Sequence, residues 1–256
     1  MPCSNPASTD ESFGNLQDIF RGGDVLGYSG NMSVSNLSAS TQDYLKAVWV
    51  LGEWSDEPVT QKRIAERLGL KLSSVSDAVR RLTDQGLFDH TPRGAVTLTE
   101  SGQSYAVEMV RRHRLIETFL VATLGYRWDQ VHDEAEMIEH AVSDFMIERI
   151  AEHLGYPDQD PHGDLIPSAD GTAHRSEAVL LTELEQGRPA RVVRISDEDP
   201  ALLQFFAERG IGVSVVVEVQ EGAPYSDSLR VRIDGSSQIM PLGRSATDAV
   251  RVEPLD

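Results

Sequence analysis

The segment from residue 60 to residue 98 constrains the fold of this chain most strongly, because signals for two short helices and a hairpin follow one another closely. The first helix is expected to begin after Thr60 and to end at Gly69, since hydroxyl side chains cap helix N-termini and glycine favours their C-termini. The second helix is expected to begin at Ser73 or Ser74. A Pro-Arg-Gly turn and an alternating strand pattern then predict the hairpin. This order predicts a winged helix-turn-helix.

Further helices and strands are predicted on both sides of this unit. A helix capped by Ser40 or Thr41 precedes it, and two long helices follow it, over Glu100–Leu124 and Trp128–Leu154. Proline, glycine and aspartate then cluster in a way that is typical of a linker. Runs of β-branched residues predict a small, mostly β domain with strands at 190–195, 213–219 and 228–233 and one helix at 200–209.

We therefore expect a mainly α-helical protein with a β domain at its C-terminus. The predicted parts are a disordered tail rich in serine, asparagine and glycine, a winged helix-turn-helix, a helical domain, a linker and the β domain, at residues 1–37, 38–105, 106–156, 157–176 and 177–256. Met32 stands just before the first periodic segment and is an alternative start of translation.

The charge of the chain is unevenly distributed. Its formal net charge is −18, but residues 38–112 contain ten basic and ten acidic side chains, so that segment is neutral and can still contact phosphate. The single cysteine, Cys3, rules out a disulfide within one chain, and the N-terminus lacks the apolar core of a signal peptide. No apolar run is long enough to cross a bilayer. These features favour a cytoplasmic protein with no membrane partner.

Acidic and imidazole side chains form one stripe on the second long helix. At 100° per residue, four side chains fall within roughly 100° of one another: His132, Glu136, Glu139 and His140. On the preceding helix, His113 and Glu117 are four residues apart and share a face. Carboxylate and imidazole donors without a thiolate form a hard ligand set, which suits Mn(II), with Fe(II), Co(II) and Zn(II) able to compete. The stripe therefore predicts a divalent metal site.

The stripe also has interpretations that need no metal. It could be a solvated charged face, or a set of buried histidines paired with carboxylates for structure alone. Residues 136–140 also resemble the H-x-x-E-H motif of one metalloprotease class. Glu136 takes the place of the first histidine of that motif, which argues against a metallohydrolase. No enzyme activity is therefore expected.

Four stretches of the sequence carry a family resemblance. They read AERLGLKLSSVSDAVRRLTDQGL at 65–87, RHRLIETFL at 112–120, HDEAEMIEHAVSD at 132–144 and PHGDLIP at 161–167. In their order and spacing they resemble the diphtheria-toxin-repressor and manganese-transport-regulator family of metal-dependent repressors, over roughly residues 38–256. The resemblance implies an SH3-like β-barrel as the C-terminal domain. It also implies a metal-activated homodimer that binds palindromic operator DNA and represses metal-homeostasis genes, with manganese uptake as the first candidate.

The resemblance further implies two metal sites. The primary site would use Asp43, Glu136, Glu139 and His140. The ancillary site would use His113, Glu117, His132 and an acidic residue of the C-terminal domain, which is Asp199 or, as the second choice, Glu198.

Three positions depart from parts of the family pattern. Iron-type relatives carry cysteine where this chain has Glu136 and methionine where it has Asp43, and both differences favour the manganese-type branch. A second glutamate ligand of some manganese-type members falls on Lys46, which cannot coordinate while protonated and argues against a binuclear site copied from them. An iron-activated repressor of the same family is the main alternative. A non-metal winged-helix regulator governed by a C-terminal protein-interaction module is a more distant one.

The resemblance also places the DNA-reading surface at the start of the recognition helix, with Lys71, Ser73, Ser74, Ser76, Asp77 and Arg80. Further phosphate contacts would come from Thr60, Lys62, Arg63 and the wing residue Arg93. A helix N-terminus offers backbone N–H groups and a positive dipole end to phosphate. Alternatively, one of Ser73 and Ser74 only caps the helix, and Asp77 either accepts from a cytosine amino group or stays solvated.

Overall fold

The computed structural model describes residues 33–90, 94–168, 178–222 and 226–255. The helices among them are α1 (Ala39–Trp54), α2 (Gln61–Leu68), α3 (Leu72–Asp84), α4 (Glu100–Leu124), α5 (Val131–Ile138), α6 (Asp144–His153), α7 (Pro200–Glu208) and α8 (Arg244–Thr247). The strands are β1 (Phe88–His90), β2 (Val96–Leu98), β3 (Val179–Leu180), β4 (Pro189–Ile195), β5 (Val216–Gln220), β6 (Leu229–Ile233), β7 (Ile239–Leu242) and β8 (Val250–Pro254). The predicted tail up to residue 32 and the wing residue Arg93 lie outside the described residues. None of the helices just named is long and apolar enough to span a bilayer.

The predicted winged helix-turn-helix is confirmed. Helices α1, α2 and α3 and the antiparallel hairpin β1–β2 surround a buried apolar core that includes Leu45, Ile64 and Leu82. Thr60 caps α2 through its hydroxyl group, as its position in the sequence predicts. Gly69 ends α2 with φ of +63°, a left-handed conformation that glycine adopts without strain.

The recognition helix α3 begins slightly earlier than predicted. Lys71 occupies its N-cap position, with no side-chain cap hydrogen bond, so neither Ser73 nor Ser74 caps it. Both serines lie inside the first turn because only two residues separate Gly69 from the start of α3. The cap of α1 likewise precedes the predicted one, at Ser38.

The first long helix, α4, has its predicted bounds, whereas the second is broken into α5 and α6. A single helix over Trp128–Leu154 is predicted, but the chain leaves the helix in a turn that contains His140. The buried guanidinium of Arg112, on α4, donates to the carbonyl oxygens of Glu139 and Val142 at 3.2 and 2.8 Å. These bonds satisfy carbonyl groups that the end of a helix leaves without partners, and so stabilise the break.

The C-terminal β domain is also confirmed. Its strands form one antiparallel sheet in the order β3-β8-β4-β5-β6-β7, around a separate core that includes Val192, Val217 and Val231. The three predicted strands are present as β4, β5 and β6, whereas β3, β7 and β8 are not predicted. The short loop between β4 and α7, residues 196–199, carries Asp197, whose side chain reaches His132 on α5.

The described part of the predicted linker folds against the rest of the chain. Three of its polar side chains are buried, and Ile166 packs into the helical core. Gly163 has φ of +87°, and a Cβ at this position would collide with the carbonyl oxygen of Val193 on β4. This glycine therefore lets the segment approach the β domain closely.

Candidate metal centre and nucleic-acid interface

Four groups of imidazole and carboxylate side chains among the described residues could hold a metal ion, and two of them, formed where α1, α4, α5 and the β4–α7 loop meet, define the clusters described next. In each group, one potential ligand atom per residue lies within 4.8 Å of every other. The first cluster consists of Asp43, Glu139 and His140. The second cluster consists of His113, Glu117, His132 and Asp197.

The first cluster joins α1 to the turn after α5. Nε2 of His140 lies 3.0 Å from Oδ1 of Asp43 and 3.7 Å from Oε1 of Glu139. Glu139 is fully buried, whereas the other two side chains are partly exposed. Because its members come from two elements, a cation held by this cluster would fix α1 relative to the turn after α5.

Gln42 orients the imidazole of His140 and was not among the predicted site residues. Its side-chain amide donates to the carbonyl oxygens of Val34 and Leu37 at 2.9 and 3.0 Å, so its Oε1 is left to accept. This oxygen lies 2.7 Å from Nδ1 of His140, which therefore carries the proton. The lone pair of Nε2 is then available in the first cluster, as in other metal sites where an outer partner fixes the tautomer.

Glu136, predicted as a ligand of the primary site, lies beside the first cluster and contacts Lys46. Its Oε1 accepts from Nζ of Lys46 at 2.7 Å, and Nζ also contacts Oε1 of Glu139. Burial disfavours the charged form of Lys46, but Glu139 and Glu136 outweigh this effect and raise the pKa of the ammonium group. The structure thus groups three of the four predicted primary ligands, while Glu136 forms another group with His113 and Glu139.

The second cluster brings α4, α5 and the C-terminal domain together. Nε2 of His113 lies 3.0 Å from Oε1 of Glu117. Nδ1 of His132 lies 3.5 Å from the same oxygen and 2.8 Å from Oδ2 of Asp197. The predicted trio of the ancillary site is therefore brought together, and the C-terminal domain supplies a carboxylate.

That carboxylate belongs to Asp197, not to Asp199 as expected from the sequence. Oδ1 of Asp199 accepts the backbone N–H groups of Ala201 and Leu202 and caps α7. Glu198, the second choice, forms an ion pair with Arg67 on α2. Asp199 does not reach the second cluster because it is the N-cap of α7 and its side chain is directed at that helix.

The atoms of the second cluster fit a divalent cation. Nε2 of His113, both carboxylate oxygens of Glu117 and Nδ1 of His132 are buried and lack a hydrogen-bond partner among the described residues. These atoms lie close together but do not form hydrogen bonds with one another. Such an arrangement is expected when their lone pairs are directed at one shared cation position. A buried polar atom without a partner costs about 1–3 kcal/mol. One cation bound to nitrogen and oxygen donors would satisfy them together.

The charges of the second cluster shift each other's titration. Burial acts against the charged form of His113, but the carboxylates of Glu117 and Glu139 outweigh it and raise its pKa to about 9. Burial acts against the charged form of His132 as well, but Asp197 and Glu117 raise its pKa to about 10. Burial also acts to raise the pKa of Glu117, yet His113 lowers it to about 2. Metal binding must therefore displace imidazole protons at neutral pH.

The predicted linker supports the second cluster through residues that sequence reasoning missed. His162 is fully buried, with Nε2 at 2.8 Å from the carbonyl oxygen of Trp128 and Nδ1 at 3.8 Å from Oε2 of Glu117. Arg114 donates to Asp164 at 3.0 Å and so fastens this segment to α4. His162 and Asp164 belong to the PHGDLIP motif, which contributes to the family resemblance, but the sequence alone indicated no role for them.

The predicted DNA-reading residues lie around the exposed start of α3. The exposed ones are Lys71, Ser73, Ser74, Asp77 and Arg80. Ser76 is half-buried, and its hydroxyl group donates to Oε1 of Gln61 at 2.6 Å. Arg80 donates to Asp77 at 3.0 Å, and both side chains are 74% exposed. The first turn of α3 has no side-chain cap, so its N–H groups can meet an anion.

The three further phosphate contacts predicted from α2 differ in their surroundings. Lys62 is exposed, with Nζ 3.6 Å from a carboxylate oxygen of Glu66. Thr60 uses its hydroxyl group to cap α2, and Arg63 donates to the backbone carbonyl of Glu57 at 2.8 Å. Lys62 pairs with a side chain that is itself exposed, so its charge remains accessible to solvent, whereas Thr60 and Arg63 bond to the backbone of their own domain.

Comparison with known families finds matches to three successive parts of the chain. Residues 36–96 match the N-terminal DNA binding domain of iron dependent repressors, and residues 99–168 match their metal binding and dimerisation domain. Residues 179–254 match the FeoA domain. These matches follow the order of the winged helix-turn-helix, the helical domain and the β domain.

Individual relatives agree with these matches. The iron-dependent repressor IdeR of Mycobacterium leprae (strain TN) is 34% identical over 167 residues, which are 62% of this chain and 72% of the relative. The diphtheria toxin repressor of Corynebacterium glutamicum is 31% identical over 231 residues, 87% of this chain and 100% of the relative.

Solved structures of repressors are similar as well. A manganese-dependent transcriptional repressor in complex with manganese has a TM-score of 0.80 and 48% identity, covering 84% of this chain and 100% of that one. ScaR with bound Zn²⁺ has a TM-score of 0.73 and 29% identity, covering 84% of this chain and 99% of that one. The chain therefore belongs to the diphtheria toxin repressor family of metal-dependent transcriptional repressors, and not to a family of enzymes.

Proposed function

We propose that this protein is a manganese-activated, dimeric repressor that binds palindromic operator DNA and controls metal-homeostasis genes, first among them genes for manganese uptake. The first cluster is the observation that supports this most directly. Asp43 comes from the DNA-binding domain, whereas Glu139 and His140 come from the helical domain. Occupancy of this cluster by metal would therefore change how the two domains are oriented.

The residues of the first cluster explain how metal binding would select one conformation. A bound divalent ion would supply one positive centre for two carboxylates and one imidazole. Asp43 can reach that centre only in conformers where α1 faces the turn after α5. A ligand shifts a conformational equilibrium by the difference in its affinity for the two states, and cross-domain coordination provides such a difference. The selected orientation sets the spacing of two recognition helices in a dimer, which must match successive major grooves about 34 Å apart.

The DNA contacts would combine the helix start with nearby cations. Ser73, Ser74 and the uncapped N–H groups of α3 are placed to meet backbone phosphates or base edges. Lys62, Lys71 and Arg80 add exposed positive charge around them. With operator DNA as its partner, we expect the protein in the cytoplasm.

An exposed apolar surface on the helical domain supports a homodimer. Large apolar side chains there are exposed to solvent: Leu124, Met137, Ile138, Phe145 and Met146. Phe145 is 75% exposed, which is unusual for an aromatic side chain unless a partner covers it. We propose that α5, α6 and the end of α4 form the dimer interface.

Manganese is favoured over iron by the ligand set. The described clusters combine imidazoles with carboxylates, whose hard oxygen donors suit Mn(II), and contain no thiolate. An iron-activated repressor is the second candidate, because the mycobacterial relative at 34% identity is named as iron-dependent.

Operator binding at controlled metal concentration tests the proposal. Fluorescence anisotropy of a promoter fragment should rise with protein in the presence of Mn(II), and should be compared in Fe(II), Co(II) and Zn(II). Asp43→Ala should abolish the metal response while the dimer persists in sedimentation experiments. Asp133→Ala, which removes an exposed carboxylate of α5 outside both clusters, is the matched control and should respond as the wild type does. Undiminished Mn(II)-stimulated binding by Asp43→Ala would refute the mechanism.

A further inference from the structure

The ammonium group of Lys46 lies inside a group of residues that could otherwise bind a metal ion. Potential ligand atoms of His113, Glu136 and Glu139 lie within 4.8 Å of one another, next to the first cluster. Nζ of Lys46 is 2.7 Å from Glu136, also contacts Glu139, and is 3.5 Å from Nδ1 of His113. A cation contributed by the chain itself thus faces all three candidate ligands.

Burial explains why a cation is needed at this position. Glu139 is fully buried, and the side chain of Lys46 is only 9% exposed. A buried carboxylate without a compensating charge is costly, and two carboxylates that face the same space repel each other. Nδ1 of His113, 2.6 Å from Oε2 of Glu139, offsets part of the first penalty. The ammonium group of Lys46 contacts both carboxylates, so it adds to this compensation and also relieves their repulsion.

We propose that the ammonium group of Lys46 occupies the place of a second metal ion. This chain then binds one ion at its first cluster, whereas a glutamate at position 46 would allow a pair of ions to bind there. This inference rests on the proposed metal-activated function and specifies its metal content. Glu139 is shared, because its Oε1 contacts Lys46 and also lies 3.7 Å from His140 in the first cluster. Because His113 offers its imidazole to the second cluster, a further divalent ion would be held by Glu136 and Glu139, and only if the ammonium group left.

The surroundings of Lys46 make the proposal testable in the wild type. A cavity of about 640 Å³ adjoins this position and is lined by Asp43, Lys46, Glu136 and Glu66, among others. The lysine side chain therefore has space to swing away if excess metal displaces it. The number of ions bound at saturation therefore shows whether the ammonium group of Lys46 stays in place, which excludes a further ion, or is displaced, which admits one.

The experiment counts Mn(II) in the full-length protein and records its paramagnetic resonance spectrum. At saturation, we expect two ions per protomer in the wild type, one for each cluster, with signals of isolated Mn(II). Lys46→Glu should bind three ions and give the signal of an exchange-coupled pair. Lys46→Arg, which keeps a positive charge, should remain at two ions without that signal.

Three ions or a coupled pair in the wild type would overturn the proposal, as would a Lys46→Glu variant that folds and stays at two ions. If circular dichroism shows that Lys46→Glu does not fold, Lys46→Met takes its place and the wild-type count still decides. Failure of the proposed function is a different result, because the wild type would then show no metal-dependent binding to promoter DNA. Metal-dependent DNA binding together with a coupled pair in the wild type refutes only the role of Lys46.

Discussion

Substitution of Asp197 and of Asp199 provides a matched pair that separates metal binding from helix capping. The two carboxylates are two residues apart in the same loop, but Asp197 lies 2.8 Å from Nδ1 of His132, whereas Asp199 accepts two backbone N–H groups of α7. Asp197→Ala removes a carboxylate from the second cluster and leaves the cap of α7 intact. Asp199→Ala removes the cap and leaves the cluster intact.

Asp197→Ala should lower metal affinity, whereas Asp199→Ala should lower the stability of the fold. Loss of even an outer partner of a metal ligand lowers affinity about 10- to 100-fold, so removal of the Asp197 carboxylate should weaken the second Mn(II) site at least tenfold, or about 1.4 kcal/mol. Loss of an aspartate cap costs ~1 kcal/mol of stability, which lowers the melting temperature of a protein of this size by about 2–4 °C.

Isothermal titration with Mn(II) and thermal unfolding of the metal-free protein measure the two effects. Asp197→Ala should change the titration, and Asp199→Ala should change the melting temperature while its titration matches that of the wild type. Equal weakening of the second site by Asp199→Ala and Asp197→Ala would refute the role of Asp197 as a ligand. Binding of two ions by Asp197→Ala with wild-type affinity would refute it as well.

Three further predictions concern orientation, protonation and assembly. Gln42→Ala should lower Mn(II) affinity of the first site about tenfold in calorimetric titrations, because His140 loses the acceptor that fixes its tautomer. The pKa values of His113 and His132 are raised to about 9 and about 10, from about 6.5 in an unfolded chain. Protonation of these imidazoles therefore stabilises the metal-free protein fully below pH 6.5 and progressively less as the pH rises toward 10. Thermal melts of the metal-free protein should show a midpoint that falls between pH 7 and pH 10, and a flat profile would contradict this. Phe145→Asp should shift sedimentation equilibrium toward monomer, because it places a charge in the proposed apolar interface, whereas Glu208→Ala, at an exposed position of α7 outside that interface, should leave the equilibrium unchanged.

Local signals in the sequence predicted the DNA-binding domain and α4 well. Thr60 caps α2 with a hydrogen bond, and Gly69 ends it by adopting a left-handed conformation. Both effects act within one turn of the helix, so the bounds of α2 follow from its own residues. Helical periodicity between clear end signals likewise gave the bounds of α4. The unpredicted strands β3 and β7 are only two and four residues long, and β7 contains Pro241, so each depends on its neighbours in the sheet.

Features that depend on another part of the chain could not be predicted in the same way. The break between α5 and α6 depends on Arg112, which lies on α4 and donates to carbonyl groups at the break. The sequence led to Asp199, with Glu198 as the second choice, whereas Asp197 faces the second cluster, because a sequence pattern does not show which acidic residue of a short loop faces another domain. The sequence did contain one useful signal, since Asp199 followed by Pro200 is typical of a helix N-cap and first turn.

The corrected ligand links the second cluster to the DNA-binding domain through three contacts of the C-terminal domain. Asp197 faces the second cluster, and the next residue, Glu198, forms an ion pair with Arg67 on α2. Just before this loop, the guanidinium of Arg194 lies 4.1 Å from the ring of Trp54, at the end of α1. A metal bound through Asp197 would therefore restrain the same short segment that contacts α1 and α2. Since the first cluster also joins α1 to the helical domain, the two clusters would act on one DNA-binding domain from different sides, and loss of either would widen the range of orientations open to α3.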